Sequence, residues 1–245
     1  MKRVFEYVGE IALFVRDVLR SLPLFYRSLG PIAEQIVFIG VVSLPIVLVT
    51  NFFGGAVTAW QAAFQGRDYL PEIYIGMSVM KAYMIELGPL LTGLVVGGRA
   101  GSSITAELGS MRITEQIDAL ETLAIDPVRY LVLPRVIAGA IALPLLTMMA
   151  ELIAVVGGGF CAILLLNIKP LVYMEGLRFN FMAHELWGGL IKAFVFGIII
   201  GLMGSYHGFK ATGGAEGVGK ATTRAVVSIF ILMLFFDFII AQIVF

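Results

Sequence analysis

ELGSMRITEQIDALETLAIDPVRYLVLPR, residues Glu107 to Arg135, separates two long apolar stretches and is the one extended polar segment of this chain that still carries helical periodicity. Ile113, Ile117, Leu120 and Ala124 recur on one side, and Glu115, Asp118, Glu121 and Thr122 on the other, so the spacing predicts an amphipathic helix over about 108–126. Ser110 is a suitable cap for its start. Asp126-Pro127 ends it, because proline disfavours helical geometry in the residue before it. A short acidic helix held between two membrane spans offers a surface for something outside the membrane to grip.

The surroundings of that segment are lipid-soluble. Of 245 residues, 59% are hydrophobic and 14% charged, and the mean hydropathy is +0.95. That is more apolar side chain than a soluble domain of this size buries. A spanning helix needs roughly 20 apolar residues, and five segments qualify, at about 36–60, 73–98, 136–168, 186–206 and 225–245. The expected fold is therefore an all-α integral membrane protein, a single domain over 1–245. Pro45, Pro89 and Pro144 are expected to kink spans rather than break them. The third span is long enough to tilt or to project from the bilayer.

Residues 1–30 carry an apolar stripe, Phe5, Val8, Ile11, Ala12, Val15, Val18, Leu19 and Leu22, against Lys2, Arg3, Glu6, Glu10, Asp17 and Arg20. This is the pattern of a helix lying in the membrane interface, with packing on a partner subunit as the alternative. The scattered charges do not fit a secretory signal. Twelve of the seventeen Lys and Arg residues fall in the N-terminal segment, in the loop from Arg99 to Arg135, and in the loop carrying Lys210, Lys220 and Arg224. By the positive-inside rule, the N-terminus and the acidic helix face the cytoplasm and Phe245 faces the other side.

No catalytic constellation is present: His184 and His207 sit near opposite ends of the fourth span, and the single cysteine, Cys161, lies in an apolar run. No metal site and no nucleic-acid partner are expected. Gly214, Gly219 and Lys220 match phosphate-loop spacing, but Ala221 replaces the hydroxyl residue that would reach magnesium. The stretch from Gly213 to Thr222 is better explained as a tight turn between two spans, its glycines allowing close backbone approach. Any nucleotide must then be bound by another chain.

Ionisable groups inside spans are costly and usually face a partner, a cavity or a substrate path. Glu86 in the second span and Lys192 in the fourth reach similar depths if the spans tilt, and they are expected to pair or to flank the outer part of a substrate route. A helix-to-helix tie with no transport role is the alternative. Asp237 in the fifth span and Glu151 in the third are open to the same readings, and Asp237 could instead simply reach water at a dimer seam.

The run ELGPLLTGLVVGGRAGSSITAELGSMRITEQIDALETLAIDPVRYLVLPR, Glu86 to Arg135, resembles the permease subunits of the MlaE family, and GGAEGVGKATTRAVV, Gly213 to Val227, resembles that family's second signature. The resemblance implies a permease of an ABC transporter in the Gram-negative inner membrane, exchanging phospholipids with the outer membrane and maintaining outer-membrane lipid asymmetry. It implies as partners a second permease copy, two ABC ATPase subunits, a STAS-domain subunit on each, and a hexameric ring of MCE-domain proteins. No cofactor belongs to this chain; ATP and Mg belong to the partner ATPase. The acidic helix would be the coupling helix, with Glu115, Asp118 and Glu121 meeting the ATPase and Arg112 and Arg129 orienting its ends. Lipid would sit between two permeases, against the first and fifth spans, with Leu48, Phe52, Phe53, Val57, Phe235, Ile239 and Ile243 as candidate lining. An ion-coupled secondary transporter and a non-transporting membrane scaffold stay open as alternatives.

Overall fold

A computed structural model describes residues 2–67, 69–179 and 181–244, apart from the side chains of residues 2–5, 7, 8, 24, 26 and 27. The expectations for Phe245, for the side chains of Lys2, Arg3, Phe5 and Val8, and for the Arg27 charge lie outside the described residues. The described chain is helical. In order come α1 (Lys2–Ser21), α2 (Leu29–Gly66), α3 (Ile73–Ile113), α4 (Gln116–Thr122), α5 (Val128–Leu165), α6 (Pro170–Arg178), α7 (Ala183–Phe209) and α8 (Gly214–Val244). Five of them, α2, α3, α5, α7 and α8, are long and apolar enough to cross a membrane.

Three of these helices run well past the apolar runs that announce them. At 38, 41 and 38 residues, α2, α3 and α5 rise about 57–62 Å at 1.5 Å per residue, roughly twice the hydrocarbon thickness. Each is therefore longer than a straight crossing of the hydrocarbon core requires. The three prolines stand in different local settings. Pro45 follows a 3₁₀ turn at Val41–Ser43 and stands in the first turn of regular helix. Pro89 follows a π turn at Tyr83–Leu87, where the Gly88 N–H reaches back to the Tyr83 carbonyl. Pro144 sits inside α5 without interrupting it.

The chain divides into two compact units, each built from separate stretches of the same long helices. One comprises 1–42, 96–142 and 196–234. Within it Val18 of α1 is buried against Val132, Leu133 and Val136 of α5, and Phe14 stacks edge-on against Tyr206 and Phe209 of α7 at 5.6 and 6.1 Å. Helix α1 thus packs on its own chain through Phe14 and Val18. Leu13 and Leu19 are more than half exposed, so an apolar face stays available for lipid or a partner. The same unit holds the α5–α7 crossing at Gly139 and Gly197, where a Cβ on Gly197 would lie 2.1 Å from the Gly139 carbonyl oxygen. Only glycine permits backbones to approach this closely, the small-residue contact by which membrane helices associate.

The other unit comprises 43–95, 143–195 and 235–245. Its core gathers Ala59 of α2, Val79 and Tyr83 of α3, Ala154 and Ala162 of α5 and Tyr173 of α6. Helix α6 begins at Pro170 in its first turn, the position where the missing N–H costs nothing. It occupies a stretch for which no element is expected from the sequence.

Two sequence expectations are corrected here. A continuous helix over 108–126 does not form: 108–113 is the end of α3, the helix stops at Thr114, and Glu115 takes a left-handed φ of 58° before α4. Ser110 accordingly lies in the last turn of α3 and not at a helix start, its carbonyl accepting from the Thr114 N–H at 3.0 Å. The glycine-rich turn is also shorter than expected. Only Gly213 and Gly214 have positive φ, 89° and 70°, and α8 starts at Gly214, so Glu216 and Lys220 are an i,i+4 pair at 2.6 Å on its first turns.

Candidate functional site

Two groups of side chains stand out, one within each unit. The first is the polar segment from Glu107 to Arg135, whose first and last residues turn out to be bonded: Arg135 Nη2 lies 2.9 Å from Glu107 Oε2. Arg135 is 4% exposed and also donates to the Leu131 carbonyl. The bridge ties the end of α3 to the start of α5 and closes the segment into a loop with α4 at its tip. Asp126 does more than end a helix. Its Oδ1 accepts from the Val128 N–H at 2.9 Å, and so caps the entry to α5.

At the tip, Ile117 is buried, and Ile113 and Leu120 are partly buried. Ala124, expected on that apolar side, is exposed with a left-handed φ of 58°. Glu115, Asp118, Glu121 and Thr122 are all exposed, as their side of the helical pattern requires. Arg112 reaches back to pair with Asp118, which steadies the two sides of the break at Glu115. Arg129 is partly buried on the first turn of α5. Leu123 stands 69% exposed beside these carboxylates.

A cavity of about 450 Å³ adjoins α4, lined by Glu10, Phe14, Arg112, Ile117, Glu121 and Lys210 among others. Helices α1 and α4 therefore share one surface. Glu10 Oε2 accepts from Tyr206 at 2.9 Å and pairs with Lys210 at 2.9 Å. The hydrogen bond from Lys210, then that from Tyr206, then the Lys210 charge hold the Glu10 carboxyl below the usual carboxylate range. A depressed folded-state pKa means that this contact supports α1 docking above the unfolded pKa and is lost as pH falls through the folded one. A nitroxide on Leu13→Cys should therefore gain mobility only at pH below the ordinary carboxylate range. Glu10→Gln should abolish that step, whereas identical mobility at neutral and acid pH would contradict it.

The second group lies inside the spans. Lys192 of α7, with no exposed surface, bonds Glu86 of α3 and lies 2.9 Å from Asp237 Oδ1 of α8. The π turn at Tyr83–Leu87 carries Glu86, and such turns recur at functional positions because they re-aim a side chain without ending the helix. Glu86 and Lys192 meet as expected from their depths. Asp237 does not sit in water; it is 7% exposed and completes a two-carboxylate, one-ammonium cluster. A second tie joins Lys81 to Glu185 at 2.7 Å. Neither that pair nor Glu107–Arg135 is anticipated from sequence. The available signal is that each of these charges stands inside or at the edge of an apolar run.

The seven apolar candidates divide by exposure. Phe53, Val57, Phe235 and Ile243 are more than half exposed, while Leu48, Phe52 and Ile239 are partly buried. Phe52 packs on Phe160 of α5 with ring centroids 5.8 Å apart. The most apolar windows of α2 and α8 are only 28% and 22% buried, against 44–56% for α3, α5 and α7. Those two helices have the most surface left to cover. Among the described residues no group of three or more His, Cys, Asp or Glu side chains is arranged to hold a metal ion.

Five apolar helices, an ion cluster bonded within them and a polar helix carried on a closed loop define a multi-pass integral membrane protein. The family model described as Permease MlaE matches residues 32–243. Relatives include a probable ABC transporter permease protein of Rickettsia typhi, 42% identical over 98% of this chain and 93% of that protein. Another, from Synechocystis, is 37% identical over 86% of this chain and 81% of its own length. The intermembrane phospholipid transport system permease protein MlaE of Haemophilus influenzae is 31% identical over 98% of this chain and 93% of its own. The chain belongs to the MlaE permease family and is a transporter permease subunit.

Proposed function

We propose that this chain is the membrane subunit of an ABC transporter that moves phospholipids between the inner and outer membranes and so maintains outer-membrane lipid asymmetry. The observation that carries the reading is α4, an exposed helix bearing Glu115, Asp118, Glu121 and Leu123 at the tip of a loop closed by Glu107 and Arg135. Such a helix can pass a push from a soluble partner to α3 and α5, the two spans to which the loop is anchored. The partner is an ATPase that binds ATP and Mg in its own chain, with a STAS-domain subunit on each ATPase and a hexameric MCE-domain ring on the opposite face.

Phospholipid as cargo is supported by the Haemophilus relative, which is named as a permease of an intermembrane phospholipid transport system. A second permease copy would cover the exposed faces of α2 and α8, leaving Phe53, Val57, Phe235 and Ile243, with Leu48, Phe52 and Ile239 behind them, to contact acyl chains between the copies. The excess of Lys and Arg supports a cytoplasmic N-terminus and a cytoplasmic α4, with Phe245 periplasmic in a bacterial inner membrane. Affinity purification of the tagged chain from its native membrane tests the assembly. An ATPase, a STAS-domain protein, an MCE-domain protein and phospholipid should be recovered with it, and recovery of the chain alone would contradict the proposal.

A further inference from the structure

Four oxygen atoms buried in the second unit have no hydrogen-bond partner among the described residues: Asn51 Oδ1 on α2, Thr92 Oγ1 on α3, and Thr147 Oγ1 and Glu151 Oε1 on α5. Asn51, Thr92 and Thr147 have no exposed surface, and Glu151 is 8% exposed. Threonines in helices commonly bond the carbonyl three or four residues back, as Thr50, Thr58 and Thr105 do here. Thr92 and Thr147 do not. Asn51 spends its amide on the Val47 carbonyl at 2.8 Å, which leaves its oxygen as the free end. Glu86, the carboxylate on the adjoining π turn, is already bonded to Lys192.

The four lie at one level. A Cβ on Gly158 would stand 3.0 Å from Val79 Cγ1, and one on Gly88 3.0 Å from Glu151 Cγ, so α3 and α5 run in opposite directions with Gly88 facing Glu151. One turn further along α3 is Thr92, and one turn back along α5 is Thr147, which sets those two opposite each other. A Cβ on Gly55 would meet the Ala154 carbonyl at 2.0 Å. Asn51 is one turn before Gly55 and Glu151 one turn before Ala154, and the Asn51 carbonyl accepts from Tyr83 of α3 at 3.3 Å. The free oxygens therefore gather where α2, α3 and α5 meet.

We propose that this junction binds one sodium ion, with the Glu151 carboxylate as its charge partner and the Asn51, Thr92 and Thr147 oxygens as neutral ligands. A proton on Glu151 would neutralise it but leave the other three oxygens unmet, and water alone would leave a charge uncompensated inside a span. A hard cation answers both needs at once. A single carboxylate suits a monovalent ion, since divalent ions of this class gather several. Intramembrane cation sites also form where a helix departs from regular geometry, and the π turn at Tyr83–Leu87 ends at Gly88. Hydroxyl and amide residues scattered through apolar runs have no ligand spacing, so the sequence does not announce the site. The inference goes beyond the transport reading and does not rest on it.

The test measures binding of radioactive sodium to the purified chain in nanodiscs, and its unfolding midpoint in sodium chloride against choline chloride at equal ionic strength. Binding should saturate at one ion per chain, and sodium at tenfold its Kd should raise the midpoint by about 3–5 °C. Glu151→Gln should abolish both effects. Thr147→Val, which keeps shape and charge, should weaken sodium binding roughly threefold to tenfold, as expected for one lost neutral ligand. Glu175→Gln removes an exposed carboxylate of α6 and should change neither readout. Absence of saturable sodium binding, equal midpoints in the two salts, full binding by Glu151→Gln or unaltered affinity in Thr147→Val would each overturn the proposal.

Discussion

Lys192→Met is expected to be the most damaging single substitution inside the spans. Lys192 has no exposed surface and stands between Glu86 and Asp237. Its loss leaves two carboxylates facing each other with no cation, and removing one partner of a buried ion pair costs about 3–5 kcal/mol. Thermal unfolding in detergent should show this as a large fall in midpoint. Glu86→Gln should be milder, because that side chain keeps 40% of its surface exposed and water offsets part of the change. Adding Glu86→Gln and Asp237→Asn to Lys192→Met removes every charge and should restore most of the stability. The neutral triple variant then separates the two roles of the cluster. Wild-type transport by that variant would mean the cluster only ties helices together. A stable but inactive protein would place the charges on the lipid route.

Reversing Glu115, Asp118 and Glu121 to lysine together should have the opposite signature, little effect on stability and a large one on coupling. All three side chains are exposed, and surface substitutions usually lie within about 0.5 kcal/mol. Only Asp118 loses a partner, Arg112, and an exposed pair of that kind contributes about 0–1 kcal/mol. Against a partner that presents basic or polar groups, three reversed charges create repulsion where there was attraction. The unaltered membrane subunit should bind its ATPase at least roughly tenfold more tightly than the reversed one, equivalent to about 1.4 kcal/mol. Pull-down of the ATPase against a salt series measures this, and equal retention of both proteins would contradict it.

The five spans are legible because apolar runs are long and the cost of exposing polar backbone to lipid leaves only helices. Their ends are not, because hydropathy stops where the bilayer stops and a helix need not. Leu29 to Gln35 and Arg99 to Ile113 are helical although their polar and charged residues take them out of the apolar runs. The break at Thr114-Glu115 carries no glycine, asparagine or proline to announce a left-handed residue. Helical spacing alone therefore suggests one helix where there are two. The spacing still sorts the right residues outward: Glu115, Asp118 and Glu121 are exposed on both readings. Glu86 and Lys192 are recognisable as partners from depth, since each is costly alone. Asp237 is harder to assign, because its place in the last span does not say whether it faces another helix or a seam. Glu107 with Arg135 and Lys81 with Glu185 require tertiary structure, as each pair joins residues far apart in the chain.

The transmission of ATPase motion through α4 to a lipid site is tested most directly in proteoliposomes holding the complete complex, with fluorescent phospholipid in the donor membrane. ATP hydrolysis and lipid transfer are measured on the same sample. The unaltered complex should transfer lipid only with ATP, and the Glu115→Lys, Asp118→Lys, Glu121→Lys complex should lose transfer by about tenfold or more while its membrane subunit keeps its unfolding midpoint. Transfer at the unaltered rate in the reversed complex, or transfer that proceeds equally without ATP, would contradict the account.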